Sequence, residues 1–270
     1  MGKAANVIVG TLFYRAGAYI IDKFLANQKE IQQNYPSSEL VFATVEDDFI
    51  EELERLLSFY GLRGKVILYE TVKPDYARNR IWNTTCGREA MRQYVLFRTE
   101  ASHLLFLDAD MTYDPLVIKI MEQESQGYDV VFSGYAGRDF GISTAGVGCS
   151  MLHRSTLEKL KFRCYEFKNG DVIDEGVTLE MDLTKLGQRV RKGFFLSICH
   201  YTNECEARCI DPQPMGLFRK ITNSSLFRYV LIRASIVTRH DISGRLQFLV
   251  YNFPFRLRRF PGHCLNRLEK

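Results

Sequence analysis

The chain has 270 residues and a mass of 31.3 kDa, with 46% hydrophobic and 25% charged residues and a formal net charge of +4. Those proportions exclude a disordered, collagen-like or coiled-coil chain and provide a core for one large domain or a domain with an appendage. No apolar run reaches the length of about 18 residues that a transmembrane helix needs.

The first predicted element is a strand at Val7–Leu12. This run is short for a secretory leader and lacks a convincing cleavage site, and Asn6 stands where myristoylation needs Ser or Thr. Residues 18–34 carry helical periodicity, with Ile20, Ile21, Phe24, Leu25 and Ile31 on one face. A second strand over 40–45 leads into Glu46, Asp47 and Asp48, acids that suit the start of a helix over 49–60. A strand over 66–70 and a helix over 84–99 follow, the latter with Met91, Val95 and Leu96 inward. His103–Leu107 is a fourth strand ending in Asp108-Ala109-Asp110; Asp114-Pro115 opens another helix, and Val130–Ser133 is a fifth strand. Beyond about residue 140 the pattern loosens around Gly141, Gly146 and Gly148, with helices from Ser155 and over 177–186. Alternating strands and helices predict an α/β domain with a mainly parallel sheet, whose ligands sit outside the carboxyl ends of the strands. Thr11 to Arg15, Glu46 to Asp48 and Asp108 to Asp110 all fall at such ends.

Charge and cysteine add two expectations. Residues 211–270 hold 11 Lys and Arg against 3 Asp and Glu, whereas residues 1–210 hold 25 against 29, so an acidic body carries a basic tail. The tail interleaves Phe218, Leu226, Phe227, Tyr229 and Ile232 with Arg219, Lys220, Arg228 and Arg233. It reads as a basic amphipathic extension that meets an anionic membrane surface or packs on the domain; no nucleic-acid module is present. The seven cysteines show no small-domain disulfide framework, so reduced cytosolic thiols are the default. Cys199, His200, Cys205 and Cys209 form one cluster, with zinc or a disulfide as its alternatives.

The segment that carries chemistry is Leu104-Leu105-Phe106-Leu107-Asp108-Ala109-Asp110. A buried strand delivers two carboxylates at i and i+2, hard oxygen ligands suited to Mg2+ or Mn2+ bridged to substrate phosphates. Asp108 to Thr112 also fits the D-x-D-x-[TV] string of haloacid-dehalogenase-type phosphatases, with Asp108 as nucleophile, although three β-α units precede it here. A sugar-1-phosphate nucleotidyltransferase would need an N-terminal G-x-G-T-R loop, which Gly10-Thr11-Leu12 does not supply.

Over most of residues 5–205 the chain resembles nucleotide-sugar glycosyltransferases of GT-A fold, especially glycosyltransferase family 2. The resemblance rests on the order of Val7 to Arg15, Glu46 to Asp48, Ala77-Arg78-Asn79-Arg80 with Gly87-Arg88-Glu89-Ala90, the D-x-D strand, Gly146 to Arg154, Asp174-Glu175 with Leu183 to Gly187, and His200. It implies a Rossmann-like, mainly parallel sheet with helices on both faces. The GT-A catalytic domain would span 1–210, divided into a nucleotide-binding half (1–110) and an acceptor half (111–210), with a mostly helical extension over 211–270. It also implies a nucleoside diphosphate sugar donor and a glycan or lipid-linked acceptor, while the thiols and the basic tail point to the cytoplasm or the cytoplasmic membrane face. Mn2+ or Mg2+ would be held by Asp108, Asp110 and His200. Thr11, Phe13, Arg15, Glu46, Asp48, Arg78, Arg88 and Asp108 would bind the donor. The general base would be Glu175 or Asp174, because Gly176 stands where the family has its usual catalytic Asp.

Overall fold

The computed structural model describes residues 6–71, 79–137, 142–143, 146–166, 172–214 and 230. In chain order the elements are β1 (Val7–Leu12), α1 (Ile21–Asn34), β2 (Ser38–Thr44), α2 (Ile50–Tyr60), β3 (Gly64–Leu68), α3 (Arg80–Arg98), β4 (His103–Leu107), β5 (Met111–Tyr113), α4 (Val117–Glu124) and β6 (Val130–Ser133). They continue with β7 (Tyr135–Ala136), β8 (Ile142–Ser143), β9 (Cys149–His153), α5 (Arg154–Leu157), β10 (Tyr165–Glu166), β11 (Val172–Ile173), α6 (Glu175–Lys185), β12 (Val190–Gly193), β13 (Ile198–Tyr201) and β14 (Ala207–Ile210).

The central sheet has seven strands in the order β12-β6-β9-β4-β1-β2-β3. Neighbours are parallel except β9, which runs antiparallel between β4 and β6. Strands covered on both faces read as continuous apolar runs, and β1 and β4 do. Their alternation sends Val7, Val9, Leu105 and Leu107 to the face covered by Phe24, Leu25 and Ile31 of α1 and Leu53 of α2. Ile8, Leu104 and Phe106 point the other way, among Met91 and Val95 of α3 and Leu179 and Leu183 of α6. Gly61, at φ 66°, closes α2 with its N–H on the carbonyls of Leu57 and Ser58, a left-handed position that suits glycine. The result is the expected α/β sheet with helices on both faces.

Several boundaries differ from expectation. A 3-10 turn over Arg15–Ile20 precedes α1, and α3 starts at Arg80, a turn earlier than residue 84. The helix opened by Asp114-Pro115 begins at Val117, after Asp114 Oδ1 has accepted the Leu116 N–H at 2.8 Å. β5 was not expected: it pairs with β13 in a small sheet of order β14-β13-β5 beside the main one.

The default of reduced thiols is overturned at one pair. Register sets Cys199 of β13 opposite Cys209 of β14, and the two form a disulfide. This is the disulfide alternative, and it removes two of the four ligands the zinc alternative needed. Among the described residues, no helix is long and apolar enough to cross a membrane. The amphipathic tail lies outside the described residues, apart from 211–214 and Val230.

Candidate active site

Asp108 and Asp110 leave the carboxyl end of β4, and backbone bonds fix both positions. The Asp108 N–H donates to the Gly148 carbonyl at 3.0 Å, and the Asp110 carbonyl accepts the Tyr201 N–H at 2.8 Å. The D-x-D turn is thereby held between β9 and β13. Register on β13 brings His200 opposite Met111, so its ring reaches Asp110.

His200 Nδ1 lies 2.6 Å from the Ala136 carbonyl, and Nε2 lies 3.2 Å from Asp110 Oδ2. The carbonyl can only accept, so Nδ1 carries hydrogen and Nε2 faces the carboxylate. Burial acts to lower the His200 pKa, but the Asp110 carboxylate outweighs it and the net shift is upward. Without a cation, the pair is therefore a hydrogen-bonded ion pair in its protonated form. The same atoms suit a divalent cation. Two ligands at about 2.1 Å in adjacent octahedral positions lie about 3.0 Å apart, close to this spacing. A carboxylate oxygen with an imidazole nitrogen whose other nitrogen is tied to a carbonyl is a donor set for Mn2+ or Mg2+.

Asp108 faces elsewhere. Its Oδ1 accepts from Arg88 Nη2 at 3.1 Å, and Arg88 Nη1 is paired with Glu175 Oε1. Arg88 from α3 thus bridges the end of β4 and the first turn of α6, with its side chain and that of Glu175 each 7% exposed. Burial would lower the Arg88 pKa, but Glu175 and then Asp108 raise it further, so the guanidinium stays charged. Burial raises the Glu175 pKa, and Arg88 offsets only part of that rise. The expected trio of Asp108, Asp110 and His200 is therefore split into an Asp110–His200 pair and an Asp108–Arg88 pair. Among the described residues, no three His, Cys, Asp or Glu side chains form a ready cation cage.

Phenols and a glycine shape the remaining wall. The buried Tyr113 hydroxyl donates to the Gly148 carbonyl at 2.8 Å. Burial first, then the Asp108 charge, raises the Tyr135 pKa and keeps this phenol neutral. Gly148 is required by contact: a Cβ there would collide with the Asp108 carboxylate. Sequence reasoning missed Tyr113, Tyr135, the Ala136 carbonyl and the role of Gly148. The one legible signal was Gly148 within the glycine-containing stretch before β9.

Asp174 and Glu175 play different parts. Asp174 is exposed and caps α6, its Oδ1 accepting the Val177 N–H at 2.9 Å. Glu175 is buried and turned into the site.

The ends of β1 and β2 lie side by side. Glu46 Oε2 accepts the Arg15 N–H at 2.7 Å, while the Arg15 guanidinium reaches Glu52 at 2.7 Å and Asp48 at 3.4 Å and covers the Phe49 ring. Arg15 therefore organises the acids in this structure, with its charge already matched. Phe13 corrects an expectation: its side chain is fully buried against Phe24 and Phe42, because the core face of β1 continues through it, and it lines no pocket surface. Thr11 is also buried, its hydroxyl without a hydrogen-bond partner. Arg78 lies outside the described residues.

No family model matches this sequence, and no curated protein matches it. Solved structures do match. Mannosyltransferase PcManGT from Pyrobaculum calidifontis, in complex with GDP-Man and Mn2+, aligns at a TM-score of 0.51 and 13% identity, over 92% of this chain and 70% of that one. A197 from STIV aligns at 0.44 and 15% identity over 78% and 95% of the two chains. Glucosyl-3-phosphoglycerate synthase from Mycobacterium tuberculosis, in complex with Mn2+, UDP and phosphoglyceric acid, aligns at 0.45 and 14% identity over 69% and 67%. The similarity to the mannosyltransferase and the sheet order together give the fold as GT-A. The alternative phosphatase reading loses its basis with that fold.

Proposed function

We propose that this chain is a metal-dependent glycosyltransferase, transferring a hexose from a nucleoside diphosphate sugar to a hydroxyl of a glycan or lipid-linked glycan. The observation that carries the reading is the Asp110–His200 pair, spaced as two adjacent cation ligands, beside the buried Asp108–Arg88–Glu175 chain at the strand ends of a GT-A sheet.

Each residue then has a part. A bound Mn2+ or Mg2+ supplies a Lewis acid for the departing diphosphate. Asp110 and His200 would hold it, with the Ala136 carbonyl fixing the imidazole tautomer. Arg88 holds the Asp108 and Glu175 carboxylates in place and keeps positive charge near the position where the leaving group becomes more negative. Glu175 uses Oε1 for Arg88, leaving Oε2 to take the acceptor hydroxyl proton. Its burial-raised pKa makes it a stronger base than an exposed carboxylate. Glu46 and Asp48 accept hydrogen bonds from ribose hydroxyls or base N–H groups. The basic segment 211–270 would bring the catalytic domain to an anionic membrane bearing a lipid-linked acceptor.

Calorimetry with UDP-, GDP- and dTDP-sugars, with and without Mn2+, tests the reading. Binding of one nucleotide that requires Mn2+ and disappears in Asp110→Ala is expected. Equal binding with and without the cation, or an unaffected Asp110→Ala variant, would overturn metal dependence.

A further inference from the structure

The strand that carries His200 is held by a tyrosine distant in sequence, and the reading above gives that tyrosine no part. β13 pairs with β5 as far as His200 opposite Met111. The next residue, Tyr201, is fixed through both of its backbone groups. Its N–H donates to the Asp110 carbonyl at 2.8 Å, and its carbonyl accepts the Tyr19 hydroxyl at 2.7 Å. Tyr19 lies in the 3-10 turn over Arg15–Ile20 that precedes α1. At the start of that turn the Arg15 N–H is bound to Glu46, proposed above to contact the nucleoside. Lys23 of α1 tethers the hairpin farther along: its ammonium donates to the Glu204 carbonyl at 2.6 Å and stands 4.9 Å from the centre of the Tyr201 ring. The Cys199–Cys209 disulfide ties β13 to β14.

We propose that Tyr19 is a positioning residue for the Asp110–His200 pair, an inference that rests on the cation site proposed above. Asp110 and His200 come from different elements, so their 3.2 Å spacing depends on how β13 seats against the D-x-D turn. Tyr201 is the link between them, because it follows His200 directly and bonds to Asp110. The Tyr19 hydroxyl acts on that same residue at its other backbone group. A partner of this kind preorganises the ligands without touching the ion. One short turn then serves both parts of the site, with Arg15 at its start on Glu46 and Tyr19 near its end on the strand of His200.

The test titrates Mn2+ alone into the full chain and follows the free ion by electron paramagnetic resonance, with no sugar donor present. The wild type should bind Mn2+, and His200→Ala should lose it. Tyr19→Phe keeps the ring and loses only the hydroxyl. Its Mn2+ Kd should rise roughly 3–10-fold, the net worth of one hydrogen bond, with the circular dichroism spectrum unchanged. Tyr60→Phe is the comparison, because the Tyr60 hydroxyl also anchors α1, through Asp22 at 2.9 Å, but to α2 rather than to β13. Its Kd should match that of the wild type. An unchanged Kd in Tyr19→Phe, or an equal rise in Tyr60→Phe, would overturn the positioning role and leave the cation site in place. No Mn2+ bound by the wild type, or full binding by His200→Ala, would overturn the cation site and the positioning role with it.

Discussion

Arg88 is the residue on which the site's charge balance turns. It is the buried cation between two carboxylates, and removing it strands Glu175 in a poorly solvated position. Arg88→Met is expected to cost about 3–5 kcal/mol of stability, the usual cost of leaving one partner of a buried pair. Adding Glu175→Gln to that variant should recover part of the loss, and a double-mutant cycle from urea unfolding measures the coupling. Gly148 makes a different prediction. A methyl group there must displace the Asp108 carboxylate, so Gly148→Ala should leave the secondary structure intact and lower transfer by at least about tenfold, the effect of a small misplacement in a catalytic site. Circular dichroism alongside a transfer assay separates the two effects.

At the scale of elements, the first turn of α6 separates the two candidate bases. Asp174→Ala removes a helix cap and should cost about 1 kcal/mol with transfer largely retained. Glu175→Gln should lower kcat by roughly 100-fold or more with the fold intact, as expected for loss of a general base. The reverse pattern would move the base to Asp174. Elements also mark how far the sequence could be read. β1, β2, β4 and β6 were legible because burial on both faces writes continuous apolar runs, and the D-x-D turn because it follows one. β5, β7, β8, β10 and β11 have two or three residues each, too few to show a period. The antiparallel sense of β9 leaves no trace in composition. The contact of Arg88 with Glu175 joins positions 87 residues apart, which no local spacing encodes. Phe13 was misjudged because an apolar residue at a strand end looks the same whether it faces a ligand or the core.

For the molecule as a whole, acid sensitivity should arise far from the site. His103 begins β4 at the end opposite Asp108 and faces His153 of β9, with ring centroids 5.0 Å apart. Burial first, then the His153 charge, lowers the His103 pKa to about 4. The unfolded chain binds that proton near 6.5, so the stability His103 contributes is complete above that pH and is lost as pH falls toward 4. Urea midpoints should therefore drop across this window, and His103→Gln should flatten the drop; an unchanged slope would exclude the pair as its source. The antiparallel placement of β9 has a further consequence during synthesis. β1 to β4 leave the ribosome first and can pair among themselves, but the free side of β4 is covered only after residue 153 has emerged. Until then, His103–Leu107 presents an apolar open strand edge, the kind that templates pairing with another chain. Truncated products ending between residues 110 and 148 should accumulate as aggregates, whereas a product extending through β12 should remain dispersed.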